Sequence, residues 1–373
     1  MTRDELKKRL TDTIGLISVP GVGRGRFNRL VRQFGSPAKA LKAPVNRLEA
    51  VTGISHSIAA DIKTKYDAEA ARQTAARIIQ LGWTVLFPDQ PDFPPSLMNI
   101  PAGDIPPVLF CTGENVTPDE KMIAIVGTRH PTERGRMFAY NLAASLASAG
   151  ITVVSGMAEG IDSAAHKGAL EAGGRTVAIW GNSLDLVYPP SNKGLAQRIK
   201  ESGAVFSEYL PQTSPSRANF PERNRIISGL SDGVVVIQAG LKSGALITAS
   251  YAIEQGRELF AVPEAPGLKS SEGANELIKK GARLLTSIDD IFDELPRLKG
   301  EVLTRKFCRL PDMTDTEKQI VSLFSAGPRQ VDQISREVDL PVPEIMEFLL
   351  ALKLKGVVRE LSGKRFVLSE EYA

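Results

Sequence analysis

At 373 residues, 42% hydrophobic and 24% charged, the chain has the composition of a globular protein of two or three domains. It holds no apolar run near the eighteen or so residues of a membrane span, and Met1 to Leu10 is too charged for a secretory leader, so a cytoplasmic location is expected. Two cysteines (Cys111, Cys308) and three histidines (His56, His130, His166), all far apart, predict neither a disulfide framework nor a metal site. The net charge of +3 is uneven: residues 1–80 hold fifteen Lys and Arg against seven Asp and Glu. Such a block points to a polyanion partner or to a solvated basic surface.

The first 75 or so residues predict short helices separated by tight glycine turns. Leu16–Gly23 leads into a helix over Arg24–Phe34, and Leu48–Ser55 leads into one over His56–Lys65. Both resemble the helix-hairpin-helix motif, in which backbone N–H groups at the hairpin receive a DNA phosphate. The first copy has Gly21-Val22-Gly23 with Arg24, Arg26, Arg29 and Arg32 nearby, whereas Ser55 replaces the last glycine in the second. Direct DNA contact and a scaffold or docking role are both compatible with this pattern.

A proline-rich connector from Phe87 to Pro107 excludes helix and predicts an extended segment laid over a neighbour. Apolar strands then alternate with helices. The strands are Ile123–Val126, Thr152–Val154, Thr176–Ile179, Ala204–Ser207, Gly233–Ile237 and Glu258–Ala261, and the first two helices span Glu133–Ala149 and Ile161–Ala172. Continuous apolar strands of this kind predict a doubly wound parallel sheet covered on both faces. A polar, basic linker follows Leu295. Helices over Asp315–Ser325, Val331–Val338 and Val342–Lys355, then a hairpin over Val357–Leu368 turning at Ser362-Gly363-Lys364, predict a winged helix. Its third helix carries Glu344 and Glu347, with Lys353 and Lys355 only at the far end, which favours a protein-contact or regulatory role over base reading. The expected domains are 1–80 helical, 81–295 Rossmann-like, 296–312 linker and 313–373 winged helix.

Four loops are expected at the carboxyl ends of the strands, where open parallel sheets bind ligands. The first holds Gly127, Thr128 and Arg129: a close backbone approach, a hydroxyl and a forked cation. The second runs from Ser155 and Gly156 into a helix bearing His166 and Lys167, with Asp162 capping that helix or orienting the loop. The third is Phe220-Pro221-Glu222-Arg223-Asn224-Arg225. An aromatic face beside Arg cations can stack a base and hold the adjoining phosphate, while in the plainer reading Pro221 opens a helix and Phe220 fills the core. The fourth is Ser243-Gly244, a small-residue entry to another helix. Together they describe a basic pocket suited to a single-stranded nucleic acid. No GxGxxG follows the first strand and no acidic ribose partner is evident, which disfavours a dinucleotide cofactor.

The segments IVGTR, SGMAEGIDSAAHKGAL, FPERNRIISGLS and SGALITASYAIEQGRELFAVP, in this order, resemble the DNA-processing protein A (DprA/Smf) family over about Phe87 to Ile291. The resemblance implies an extended Rossmann domain that dimerises, binds single-stranded DNA during natural transformation and loads the RecA recombinase. Arg129, Lys167, Phe220, Arg223, Asn224 and Arg225 fall on the family's DNA pocket or its border. Two departures stand out: Gln238 where the family commonly has Glu, and Glu264 where it commonly has Gly. A rival reading is nucleotide cleavage, as in nucleoside monophosphate phosphoribohydrolases. Those enzymes carry a PGGxGTxxE segment where this chain has Lys242–Ser250, with Thr248 and Ser250 but no acid. N-glycosidic cleavage needs a carboxylate beside the ribose. No catalytic residue, metal or cofactor is therefore expected.

Overall fold

The computed structural model describes residues 1–265, 267–270, 272–299, 314–326, 328–354, 357–361 and 365–368. They fall into two compact units, one ending at residue 303 and the other beginning at 304.

The first unit opens with six helices: α1 (Arg3–Ile17), α2 (Arg24–Phe34), α3 (Pro37–Lys42), α4 (Val45–Glu49), α5 (His56–Thr64) and α6 (Ala68–Gln80). The expected hairpins join α1 to α2 and α4 to α5, turning at Gly21 and Gly53 with φ of +82° and +83°. Arg26 ties the two hairpins together, its guanidinium donating to the carbonyls of Gly21 and Gly53 at 2.8 Å each. Ser55 caps α5, its hydroxyl accepting from the Ile58 N–H, so the N-terminus of that helix is already occupied by a side chain.

The sheet has nine strands: β1 (Thr84–Leu86), β2 (Leu109–Gly113), β3 (Met122–Gly127), β4 (Thr152–Ser155), β5 (Thr176–Ile179), β6 (Ala204–Ser207), β7 (Gly233–Ile237), β8 (Glu258–Ala261) and β9 (Arg283–Leu284). Their order is β1-β2-β6-β5-β4-β3-β7-β8-β9. All neighbours from β6 to β9 pair in parallel. Every residue of β4 to β7 is buried, as continuous apolar runs require of a sheet covered on both faces. Beyond the predicted strands, β1 and β2 extend the sheet antiparallel along the β6 edge. They bracket the proline-rich connector, which carries a 3₁₀ turn over Pro95–Asn99. That turn lies on the sheet's core: Leu97 and Ile100 pack with Ile226, Ile227 and Leu230.

Helices α7 (Glu133–Ser148), α8 (Ile161–Glu171), α9 (Lys193–Ser202), α10 (Asn219–Leu230), α11 (Gly244–Glu254), α12 (Glu272–Lys279) and α13 (Ile288–Glu294) complete this unit. The Phe220–Arg225 segment is therefore the start of α10 and not a free loop. Pro221 sits in its first turn, where the missing N–H has no helical partner to lose. The N-terminal helices share a core with the sheet, since Leu10, Ile14, Ala75 and Ile78 pack with Phe87, Phe110, Trp180 and Val205.

The second unit contains α14 (Asp315–Ser322), β10 (Arg329–Gln330), α15 (Val331–Val338), α16 (Val342–Leu354), β11 (Val358–Leu361) and β12 (Arg365–Leu368). The strands form a sheet of order β10-β12-β11 beside three helices, a winged helix. Lys353 is paired with Glu360 at 2.8 Å. The expected turn at Ser362–Lys364, Lys355 and most of the expected linker lie outside the described residues.

His166, on the helix that follows the second loop, is fully buried. Its Nδ1 lies 2.7 Å from the Thr176 hydroxyl, which itself donates to the Val153 carbonyl. The hydroxyl hydrogen is thus spent, so Nδ1–H is the donor and the neutral ring keeps an unpartnered Nε2. Burial, with the Arg223 charge adding to it, pushes the imidazole down to about 3 from an ordinary 6.5. The unfolded chain therefore binds this proton first, and stability present above pH 6.5 is lost as the pH falls toward 3. Urea unfolding across that window should show His166 contributing a slope approaching ~1.4 kcal/mol per pH unit. A His166→Gln variant should lose that component, and an unchanged slope would contradict a neutral buried imidazole.

Candidate nucleic-acid cleft

The order in which the chain adds strands reverses at the parallel β3–β7 pair: β4, β5 and β6 lie on one side of β3, and β7 to β9 on the other. A cleft of about 810 Å³ opens at the carboxyl ends of these strands, the place where doubly wound sheets bind ligands. Among the described residues, Arg129, Arg217, Arg223, Lys242 and Lys269 line it, against one carboxylate, that of Asp162. Arg129 is exposed and places its guanidinium carbon 5.4 Å from the centre of the Phe220 ring. Phe220 also stacks with Tyr188, centroids 5.7 Å apart at 27°. Phe220 itself is only partly buried, and a side chain at Gly181 would collide with its ring at 2.7 Å. The ring is therefore seated on backbone, with Tyr188 39% exposed beside it.

Beneath this aromatic pair lies a fixed positive floor. Arg223 is 5% exposed and donates to the carbonyls of Gly156 (2.6 Å) and Ile179, and through Nε to Asn224 Oδ1. Desolvation lowers its pKa to about 10, while Asp162 and Tyr209 work in the opposite direction, so it stays charged at neutral pH. Gly156 is glycine for this reason: a Cβ there would come within 2.7 Å of both Arg223 Nη2 and Asp162 Oδ2. Burial raises the Asp162 carboxyl above its ordinary range, opposed by the Arg223 charge. Its Oδ2 accepts from the Ala158 N–H, so Asp162 orients the loop after β4. Asn224 donates to the Gly244 carbonyl at 3.2 Å, tying α10 to the start of α11.

The remaining residues singled out in the sequence divide. Gly127, Thr128, Ser243 and Gly244 line the cleft. Gly127 answers to packing as well as access, because a Cβ would meet the Ile237 carbonyl at 2.0 Å and Ile161 at 2.6 Å. Thr128 is held by its N–H on the Gln238 carbonyl at 2.8 Å, and Ser243 caps α11. Ser155 is fully buried, its hydroxyl donating to the Ile125 carbonyl, and so offers a ligand nothing. Arg225 is also fully buried and turned away from the cleft. It forms a two-pronged pair with Glu208 at 2.6 Å and donates to the carbonyls of Asp104 and Glu222. Lys167 lies outside the cleft, in a neighbouring recess. Tyr188, Arg217, Lys242 and Lys269 were not picked out in the sequence. Arg217 lies just before α10, three residues ahead of Phe220.

Of the hairpin arginines, Arg24 reaches across to Asp104 and Glu222, and Arg26 holds the hairpin carbonyls. Both are committed within the protein.

The two departures, Gln238 and Glu264, prove to be one feature. Gln238 is fully buried, accepts from the Thr132 N–H and donates to Glu264 Oε1 at 2.7 Å. It stands behind the Thr128–Arg129 loop and does not line the cleft.

A doubly wound sheet with a cationic cleft at its switch point, carried with tandem helical hairpins and a winged helix, defines a Rossmann-type protein equipped with nucleic-acid-type accessory modules. The chain belongs to the DNA recombination-mediator protein A family of DNA-processing proteins, whose sequence model matches residues 64–296. A SAM-like helix-hairpin-helix tandem matches residues 14–65, and a DprA winged helix domain matches 309–364. Protein Smf of Synechocystis sp. is 33% identical, over 93% of this chain and 96% of its own. The X-ray structure of DNA processing protein A from Streptococcus pneumoniae superposes with a TM-score of 0.66 at 30% identity, covering 76% of this chain and 97% of that one. That from Helicobacter pylori, described for its unique single-stranded DNA binding mode, gives a TM-score of 0.52 at 33% identity over 58% and 97%.

A glutamate at 238 would set two carboxylates against each other across the 2.7 Å now bridged by an amide N–H. Gln238→Glu should cost about 1–3 kcal/mol at pH 7, less near pH 4 as one carboxyl takes up a proton. Adding Glu264→Gly should recover most of the loss in a urea titration, and strictly additive effects would show the two residues to be uncoupled.

Proposed function

We propose that the cleft binds single-stranded DNA, that the protein acts without catalysis of its own, and that as a cytoplasmic homodimer it protects incoming strands and loads RecA onto them during natural transformation. The observation that carries the DNA reading is the Tyr188–Phe220 stack with Arg129 against it, above the buried Arg223 charge. Aromatic faces take bases of any sequence, and the exposed cations meet phosphates. The relative from H. pylori described for single-stranded DNA binding supports the same reading. The dimer and the RecA role rest on family resemblance, and a dimer with one cleft per subunit would hold two stretches of one strand with raised avidity.

Nucleotide cleavage draws no support from the lining. Among the described residues the one carboxylate lining the cleft, Asp162, is 7% exposed and faces Arg223, a setting ill suited to stabilising a ribosyl cation. Incubation with AMP should therefore release no adenine.

Phe220→Ala should weaken binding of single strands by roughly 1–3 kcal/mol while leaving the melting temperature nearly unchanged, because the ring is only partly buried. Arg129→Ala should lower affinity for strands of any sequence and reduce the log–log salt slope by about 0.7. Fluorescence anisotropy with a labelled oligonucleotide across a salt series reads both. Unchanged binding in a folded double variant would remove the cleft from the account.

Loading is read separately, as RecA ATPase activity on DNA already coated with single-strand-binding protein. Addition of this protein should shorten the lag. Binding without that gain would leave protection alone.

A further inference from the structure

We propose that the recess between α7 and α8, walled by Arg136, Met137, Tyr140 and Lys167, is a second nucleotide subsite, into which the strand held at Phe220 continues. This rests on the reading of the cleft as a single-strand site.

The recess has a volume of about 330 Å³, and a smaller one of about 50 Å³ bridges it to the cleft. The bridge shares Arg129, Tyr188, Phe220 and Arg223 with the cleft and Glu159 with the recess, so the three spaces adjoin in that order. The chemistry along them repeats. Lys167 is exposed and has no hydrogen bond or ion pair among the described residues, as a waiting phosphate ligand would. Among the described residues Arg136 is held by the surface pair with Glu133 one turn earlier, an interaction of the weak, exchangeable kind. Met137, 42% exposed, and Tyr140 supply an apolar and aromatic wall for a base. The opposite end is rigid, because Asn192, 7% exposed, spends both amide hydrogens on the Met157 carbonyl and the Ser163 hydroxyl.

Glu159 stands at the crossing, its carboxylate accepting from the Ser191 hydroxyl. It repels phosphates there, so the phosphate contacts fall on either side of it, at Arg129 before and at Lys167 with Arg136 after. A strand too short to pass Glu159 touches only the cleft. A longer one gains the second set of contacts.

Strand length therefore provides the test. Oligo-dT of about four to twelve nucleotides, within the site sizes of roughly 4–16 nucleotides seen for single-strand-binding OB folds, would be titrated against the full chain, Arg129→Ala, and the double variant Arg136→Ala, Lys167→Ala. The double variant should bind the shortest strands as the unchanged protein does, yet lose much of the affinity gained with length. Its salt slope on the longest strands should fall by about 1.4, two contacts at about 0.7 each. Lys167→Arg should keep the gain that Lys167→Ala loses. A double variant with the full gain with length, or one weakened equally on short and long strands, would overturn the second subsite while leaving the cleft in place. Failure of the cleft reading looks different: Arg129→Ala would then match the unchanged protein at every length.

Discussion

The buried ion pair between Arg225 and Glu208 decides how the most conspicuous segment of this chain is used. With Arg225 fully buried and both prongs satisfied at 2.6 Å, removing either partner would strand a charge in the core, a cost of about 3–5 kcal/mol. The pair therefore fixes the rotation of α10 about its axis. Residues two apart on a helix point in roughly opposite directions. Once Arg225 is committed to Glu208 and the Asp104 carbonyl, Arg223 must point at the sheet, where Gly156 and Ile179 receive it. Phe220, a turn earlier, is carried to the cleft. Two arginines separated by one residue thus have different work: one holds the helix, the other charges the floor.

The same constraint explains the fate of the basic N-terminal block. Glu222 lies on the exposed flank of α10, and Arg24 from α2 grips it together with Asp104 on the connector. Asn28 of the same helix donates to the carbonyls of Ala102 and Ile105. The first hairpin is thereby built into the back of the cleft, and its Arg24 and Arg26 charges are neutralised or spent on carbonyls. Arg129, Arg217, Lys242 and Lys269 carry no ion pair among the described residues, so at the cleft they, and not Arg24 or Arg26, offer unpaired charge.

How much of this could be read in the sequence depends on the kind of signal each residue leaves. The strands from Ile123 to Ala261 were legible because burial on both faces forces unbroken apolar runs, and the structure reproduces their bounds closely. The edge strands β1 and β2 were not, because their short segments flank a connector whose prolines dominate the local signal. Phe220–Arg225 was legible as chemistry, and Pro221 as a helix opening, but not the direction of each side chain: only the 100° step between helical positions separates Arg223 from Arg225. Ser155 is buried because it ends a central strand, a placement that its polar side chain disguised. Tyr188 left no trace, since it enters from an irregular segment and reaches Phe220 only through the tertiary fold. Gln238 and Glu264 looked like separate departures, being 26 positions apart, yet they form one hydrogen bond.

The cleft combines two kinds of cation, and the contrast has energetic meaning. Arg223 has surrendered its water during folding, a cost offset by two carbonyls and by Asp162, and its position is set before any ligand arrives. Binding over such a preformed charge requires little reorganisation. The exposed cations are different. Solvated and mobile, they are screened over about 8–10 Å at ordinary ionic strength and exchange one counterion for another. In the proposed single-strand site, a fixed floor under an aromatic pair and an exposed cationic rim would divide the labour between holding a base in place and holding a backbone of any sequence. That division favours a polymer over a single nucleotide, because a lone nucleotide meets the floor and the ring but leaves most of the rim unanswered.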